Sequence, residues 1–214
     1  MRRKEGNKEE KIFYAALKSF AIHGFYRSRV EEIAKIAGIS TGSIYVYYKD
    51  KKDILYRILD KTWTELYKNL LFIYDRADLK ANEKVDLIID LVIDTFSKNP
   101  DLATVITNEQ RKLYSDQTRK FTPYYEKFLN LAKKIIQQGI EDGAFYDNIH
   151  WEVIQYFVIG SFRELLSTWV SHRSNLSLED MKESVKFLIK YGISKHPANE
   201  KLISAESPTN EPQN

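Results

Sequence analysis

The 214-residue chain contains no cysteine. Disulfides, thiolate metal sites and cysteine nucleophiles are therefore excluded, and a reducing cytoplasm suits the composition. Proline and glycine are scarce, with five and eight copies, and Pro197, Pro208 and Pro212 all lie near the C-terminal end. A body with so little turn punctuation favours long helices over many short strands. Long apolar runs are missing too. Val153 to Phe162 is closed by Arg163-Glu164, well short of the roughly 20 residues of a membrane span. Met1-Arg2-Arg3-Lys4-Glu5 leads into further charge rather than an apolar signal core, so a soluble, cytoplasmic protein with no membrane partner is expected. His23, His150, His172 and His196 form no pair at metal-ligand spacing. No Gly-rich phosphate loop or nucleophile elbow occurs, and the i, i+4 acids Asp90 and Asp94 read as a solvent-facing pair. The sequence thus offers no catalytic residue, no metal site and no cofactor, and an enzyme is not expected.

What is present is ordinary in amount and uneven in placement. Hydrophobic residues make up 43% and charged residues 29%, with a net charge of only +3. Residues 1–60 hold 13 Lys+Arg against 8 Asp+Glu, while the remainder holds 20 against 22. A basic end on a near-neutral body suits contact with a polyanion. Asn7 reads as the cap of a first helix through Ile12, Phe13, Ala16, Leu17, Phe20 and Ala21, stopped by Gly24. Ser28 and Glu31 read as a capping box opening a short helix, Arg29 to Ala37. Gly38-Ile39-Ser40 is a turn, and Ser40 caps a third helix, Thr41 to Tyr47. Periodicity then predicts helices from Lys51 to about Tyr74, Asn82 to Ser97, Asp101 to Leu113, Pro123 to Glu141, Trp151 to Ser171 and Leu178 to Ile193. Residues 197–214 lose all periodicity and read as a disordered tail. The expected fold is all-α, without internal repeats: a three-helix unit over 1–50 and a helical bundle over 51–196.

Function concentrates in Ser28 to Leu55, SRVEEIAKIAGISTGSIYVYYKDKKDIL. Ala34 is the small residue needed where two helices cross, and Gly38 accepts a positive φ in the turn between them. Ile33, Ile39 and Ile44 are the apolar pins of a helix-turn-helix whose second helix can enter a major groove. The Ala34–Gly38 spacing alone suits any αα-turn, and the tyrosines alone suit packing; the full string decides. Thr41, Gly42 and Ser43 are small enough for close approach to DNA, and Tyr45 and Tyr47 offer hydroxyls and flat rings. Lys49, Lys51 and Lys52 follow beside a helix N-terminus, where phosphate is favoured, and Arg29 is a further candidate contact.

Gly24-Phe25, Val30-x-x-Ile33-Ala34-x-x-Ala37-Gly38-Ile39-Ser40-x-Gly42-x-Ile44-Tyr45-x-Tyr47-Tyr48 and Lys51-x-x-Ile54-Leu55 together closely resemble the DNA-binding domain of the TetR family of repressors. The likeness spans roughly residues 8–56. It departs at Arg29, where members usually carry a small hydroxyl residue, and at Tyr48, where Phe is commoner. The resemblance implies recognition contacts through Thr41, Gly42, Ser43, Tyr45 and Tyr47, and phosphate anchoring at Lys51.

A seven-residue recognition helix is only about 10 Å long, so two copies on a two-fold axis and a near-palindromic double-stranded operator are expected. The helix from Trp151 is apolar over about two-thirds of its circumference, which fits a core on one side and a partner subunit on the other. With the seam Leu178, Met181, Val185, Leu188 and Gly192, it suggests a homodimer interface through Phe162, Leu166, Trp169, Met181, Val185 and Leu188. TetR-family resemblance further implies a small-molecule effector cavity in the bundle, so that 51–196 is read as an effector-binding and dimerisation domain. Candidate lining residues are Trp63, Tyr67, Phe96, Val105, Glu109, Arg111, Tyr125, Phe128, Phe157 and Ser161. Asn99 to Asp116 and Val158 to Val170 look like the corresponding parts of TetR-type regulators of fatty-acid degradation, which respond to long-chain acyl-coenzyme A. A tunnel with a basic mouth at Arg111 and Lys112 would suit that ligand. The alternatives are a regulator responding to drugs or aromatic compounds, and a dimeric DNA-binding protein without an effector.

Overall fold

The computed structural model describes the backbone of residues 3–115, 123–172, 175–193 and 195, and the side chains of these residues from 8 to 109 and from 123 onward. Nine helices occur among them: α1 (Arg3–Arg27), α2 (Val30–Ala37), α3 (Thr41–Tyr47), α4 (Lys51–Tyr74), α5 (Ala81–Ser97), α6 (Pro100–Ser115), α7 (Pro123–Glu141), α8 (Trp151–Val170) and α9 (Leu178–Ile193). No β-strand occurs among the described residues. The tail expected over 197–214 lies outside them.

Two expected helix starts are corrected. The first helix begins at Arg3 rather than being capped by Asn7, and it is interrupted at Gly24, whose φ of 75° and ψ of 158° no right-handed helix accommodates. Ser28 does not cap α2. Arg29 holds the cap position without a side-chain bond, while the buried Ser28 hydroxyl donates to the Gly24 carbonyl at 2.9 Å and accepts from Ser19 Oγ at 3.0 Å. Burial diverts the serine: an unpaired hydroxyl there is costly, and the broken end of α1 supplies the partner. Ser40 does cap α3, accepting from the Ser43 amide at 3.3 Å.

A continuous core joins the small N-terminal helices to the bundle. Along α4, Ile54, Leu55, Ile58, Leu59, Leu66 and Leu70 are fully buried, each worth roughly 1.5–3 kcal/mol of transfer free energy. Their spacing turns one face of α4 toward α1 near its start and toward α5 and α7 farther along. Helix α6 packs on both α1 and α8, so it joins α4 in linking the bundle to the N-terminal three-helix unit. A second cluster, Ile89, Ile93, Phe162 and Met181, holds α5, α8 and α9 together. Above it, Lys182 and Lys186 reach Asp94 at 2.5 Å and Asp90 at 2.7 Å. The acidic pair expected to face solvent is therefore a cross-helix anchor for α9.

Candidate functional site

Helix α3 is held by its turn. Gly38 adopts φ 66° and ψ 37°, and the amide of Ile39 returns to the Ala34 carbonyl at 3.1 Å. Ile33, Ala34 and Ile44 are buried at the crossing. The opposite side of α3 points outward: Gly42 is exposed, with nothing within 4 Å of where a Cβ would stand. Tyr45 is 54% exposed and Val46 79%. Thr41 and Ser43 are half-buried on the same short helix, while Tyr47 packs partly on the core. Arg29 and Lys49 are exposed on either side. Tyr48 is buried beneath the helix, with the Arg57 guanidinium 5.1 Å from its ring centre. Burial first, then the nearby Glu9 carboxylate, pushes its hydroxyl up to about 12.

The α4 N-terminus, where phosphate contact is expected, is capped from within the chain. Asp50 caps it, accepting the Asp53 amide at 2.7 Å, and Asp53 in turn accepts the Lys49 amide at 2.9 Å. The Lys51 ammonium turns inward, donating to the carbonyls of Ser28 at 2.7 Å and Tyr26 at 3.2 Å, 4.7 Å from the Phe25 ring centre. Desolvation holds its pKa below the usual lysine value, with Glu109 pulling the other way. Glu109, expected to face a ligand, is 3% exposed and accepts the Phe25 amide at 3.3 Å. It lies at the seam where α6 meets the broken end of α1. A buried carboxylate needs donors, and the kinked backbone presents one.

Of the other cavity candidates, Trp63, Phe96, Val105, Tyr125 and Phe128 are buried in one continuous core, with Tyr67 at its edge. Trp63 of α4 meets Tyr125 and Phe128 of α7 edge-on, at centroid distances of 4.5 and 5.5 Å. Phe157 does not join them: it is 66% exposed on α8. Ser161 bonds back to the Phe157 carbonyl at 2.7 Å. The side chains of Arg111 and Lys112 lie outside the described residues.

The expected dimer seam divides. Phe162, Leu166 and Met181 are buried inside the subunit, and Trp169 and Val185 pack against the second cluster. Leu188, 63% exposed, points outward with Phe187 and Tyr191 of α9 and Val153, Tyr156 and Phe157 of α8. Helix α9 has two apolar faces, and Leu178, Met181, Val185 and Ile189 form the inner one.

Two family models match this chain: "Bacterial regulatory proteins, tetR family" over residues 12–58, and "YsiA-like protein, C-terminal region" over residues 73–192. The chain belongs to the TetR family. It is a TetR-type transcriptional regulator, and its relatives are regulators rather than enzymes. The fatty acid metabolism regulator protein of Bacillus subtilis is 27% identical over 186 residues, covering 85% of this chain and 93% of the relative. The crystal structure of the transcriptional regulator FadR from Bacillus subtilis in complex with stearoyl-CoA superposes with a TM-score of 0.76 at 27% identity, covering 86% of this chain and 98% of the other. The fatty acid degradation regulator FadR from Bacillus halodurans gives 0.74 at 24% identity, covering 85% and 94%.

Val46, exposed beside Tyr45 on α3, is not among the contacts expected from the sequence. Its signal was available: two residues beyond the core pin Ile44, it stands about 200° around the helix and must face away. The outer apolar residues of α8 and α9 carried no comparable signal, because periodicity marks a face without saying what covers it. Among the described residues no group of His, Asp and Glu is placed to hold a metal, and no helix is long and apolar enough to cross a membrane.

Proposed function

We propose that this regulator binds a near-palindromic double-stranded operator as a homodimer, acts as a repressor in the cytoplasm, and is released by a long-chain acyl-CoA. Residues 1–50 read DNA, and residues 51–196 hold the effector and the partner subunit. The observation that carries the effector reading is the extent of the likeness: the relative solved with stearoyl-CoA matches across 86% of this chain, well beyond the helix-turn-helix. The outward face of α3, with Gly42, Tyr45 and Val46, supports groove contact, Val46 being suited to a thymine methyl. The exposed apolar residues Tyr156 and Phe157 of α8 and Phe187 and Leu188 of α9 support pairing of two copies.

Release follows from linkage. A ligand that binds better to a conformer with wrongly spaced recognition helices lowers operator affinity by no more than its differential affinity for the two conformers. The bundle has two physical routes to the DNA-binding unit, the uninterrupted α4 and the α1–α6 seam at Glu109. The test is fluorescence anisotropy on a DNA fragment spanning the protein's own upstream region, across a salt series, with and without stearoyl-CoA. Salt-dependent, sequence-specific binding that stearoyl-CoA abolishes is expected. Binding unaffected by the thioester would remove the lipid effector, and failure to bind any fragment in genome-wide selection would remove operator recognition.

A further inference from the structure

Two buried side-chain polar groups among the described residues lack a hydrogen-bond partner, the Tyr146 hydroxyl in the α7–α8 connection and the Trp63 indole N–H within the bundle. Trp63 is 7% exposed, and its indole Nε1 is buried with no hydrogen-bond acceptor among the described residues. Its neighbours Tyr125 and Phe128 present rings edge-on, which solvate the apolar indole without serving the N–H. Trp nitrogens in protein interiors usually find an acceptor, and an unmet donor is a standing destabilisation that phenylalanine at the same position would avoid. The residue also stands on α4, twelve positions from Lys51 and so about 18 Å along one uninterrupted helix from the end that ties down the α1–α2 loop.

We propose that the Trp63 indole N–H is the polar anchor of the effector site, donating to the carbonyl oxygen of a long-chain acyl thioester whose alkyl chain packs among the surrounding apolar side chains. The inference rests on the acyl-CoA reading above and adds to it a chemical requirement: an acceptor oxygen at the thioester carbon. Chain length supplies apolar contact whatever the head chemistry, whereas the thioester carbonyl adds an acceptor at the head of the chain that a thioether lacks there. Engagement of Trp63 therefore acts on α4 itself, the helix whose first turn holds the α1–α2 loop through Lys51.

The test compares palmitoyl-CoA with its S-hexadecyl-CoA thioether, which keeps the chain and nucleotide and lacks the carbonyl, using the full-length protein bound to its operator. The wild type is expected to prefer the thioester by about tenfold in operator release, equal to 1.4 kcal/mol. The Trp63→Phe variant is expected to lose that preference, each compound being referred to the same variant's ligand-free operator affinity. A second readout uses the wild-type fold: the indole ¹⁵N–¹H resonance of Trp63, assigned with Trp151→Phe and Trp169→Phe, should move downfield with the thioester and not with the thioether. Equal potency of the two compounds on the wild type, or an unmoved Trp63 resonance at saturating thioester, would overturn the Trp63 assignment and leave the acyl-CoA reading standing. Failure of both compounds to bind would overturn both.

Discussion

Replacing Glu109 should weaken the seam between the bundle and the DNA-binding unit, and the structure sets the size of the effect. The carboxylate is buried against the kinked end of α1 and accepts the Phe25 amide at 3.3 Å. Hydrogen bonds to charged groups contribute about 1.5–3 kcal/mol, and this one is longer than the common 2.9–3.0 Å, which places it near the lower end. Truncation to alanine also opens space in a packed site, adding roughly 1 kcal/mol. Glu109→Ala is thus expected to cost about 2–3 kcal/mol. For a chain of this size that is a fall in Tm of roughly 5–10 °C. Glu109→Gln keeps an acceptor oxygen of nearly the same shape and loses the favourable charge toward Lys51, so a smaller loss of about 1 kcal/mol is expected. Thermal and urea unfolding at one fixed protomer concentration measures both, since any dimer makes stability concentration-dependent. Operator titrations of the same samples should show weaker binding by the alanine variant. Wild-type stability in both variants would refute the reasoning, and equal losses in both would shift the weight from the hydrogen bond to the charge.

Placing like charges at the exposed positions with Phe157→Glu and Leu188→Glu should yield folded monomers by light scattering, with helical circular dichroism preserved and operator affinity reduced. Retention of dimers would remove these positions from the interface. Gly139→Ala would place a Cβ against the Phe145 ring and 2.9 Å from the Ala81 Cβ, so a loss of roughly 1–3 kcal/mol is expected in urea unfolding. Tyr48 ionises at about 12 when folded and near 10 when unfolded, so the unfolded state releases its proton first and this residue's contribution to stability falls as pH rises from 10 to 12. Tyr48→Phe should remove that alkaline loss in a pH series of unfolding curves, while changing neutral stability by no more than about 0.5 kcal/mol. Asp86 has a pKa raised chiefly by desolvation, so the folded state holds its proton longer and stability declines as pH rises through the unfolded carboxylate value. Asp86→Asn should be the more stable protein at neutral pH and lose that advantage under acid, which unfolding at the two pH values will decide.

Helix periods and turn chemistry were written locally, and local physics was enough to read them. The bounds Thr41–Tyr47, Lys51–Tyr74 and Leu178–Ile193 follow from apolar spacing, Ser40 capping and a glycine where φ must be positive. The helix-turn-helix was legible for the same reason, since Ala34, Gly38 and Ile44 fix its geometry within eleven residues of chain. Tertiary structure decided the partners. Ser28 reads as a cap until the broken end of α1 offers it a buried carbonyl, and the two backbone carbonyls that the Lys51 ammonium meets lie more than twenty residues away in the chain. The bond from the Phe25 amide to Glu109, 84 residues away, has no signal in the local sequence. An apolar stripe on α8 or α9 carries no mark of whether its own chain or another molecule will cover it. Periodicity records how side chains repeat around one helix axis; which polar groups meet, and which apolar face remains outside, depends on how separate axes pack, and that information is spread across the whole chain.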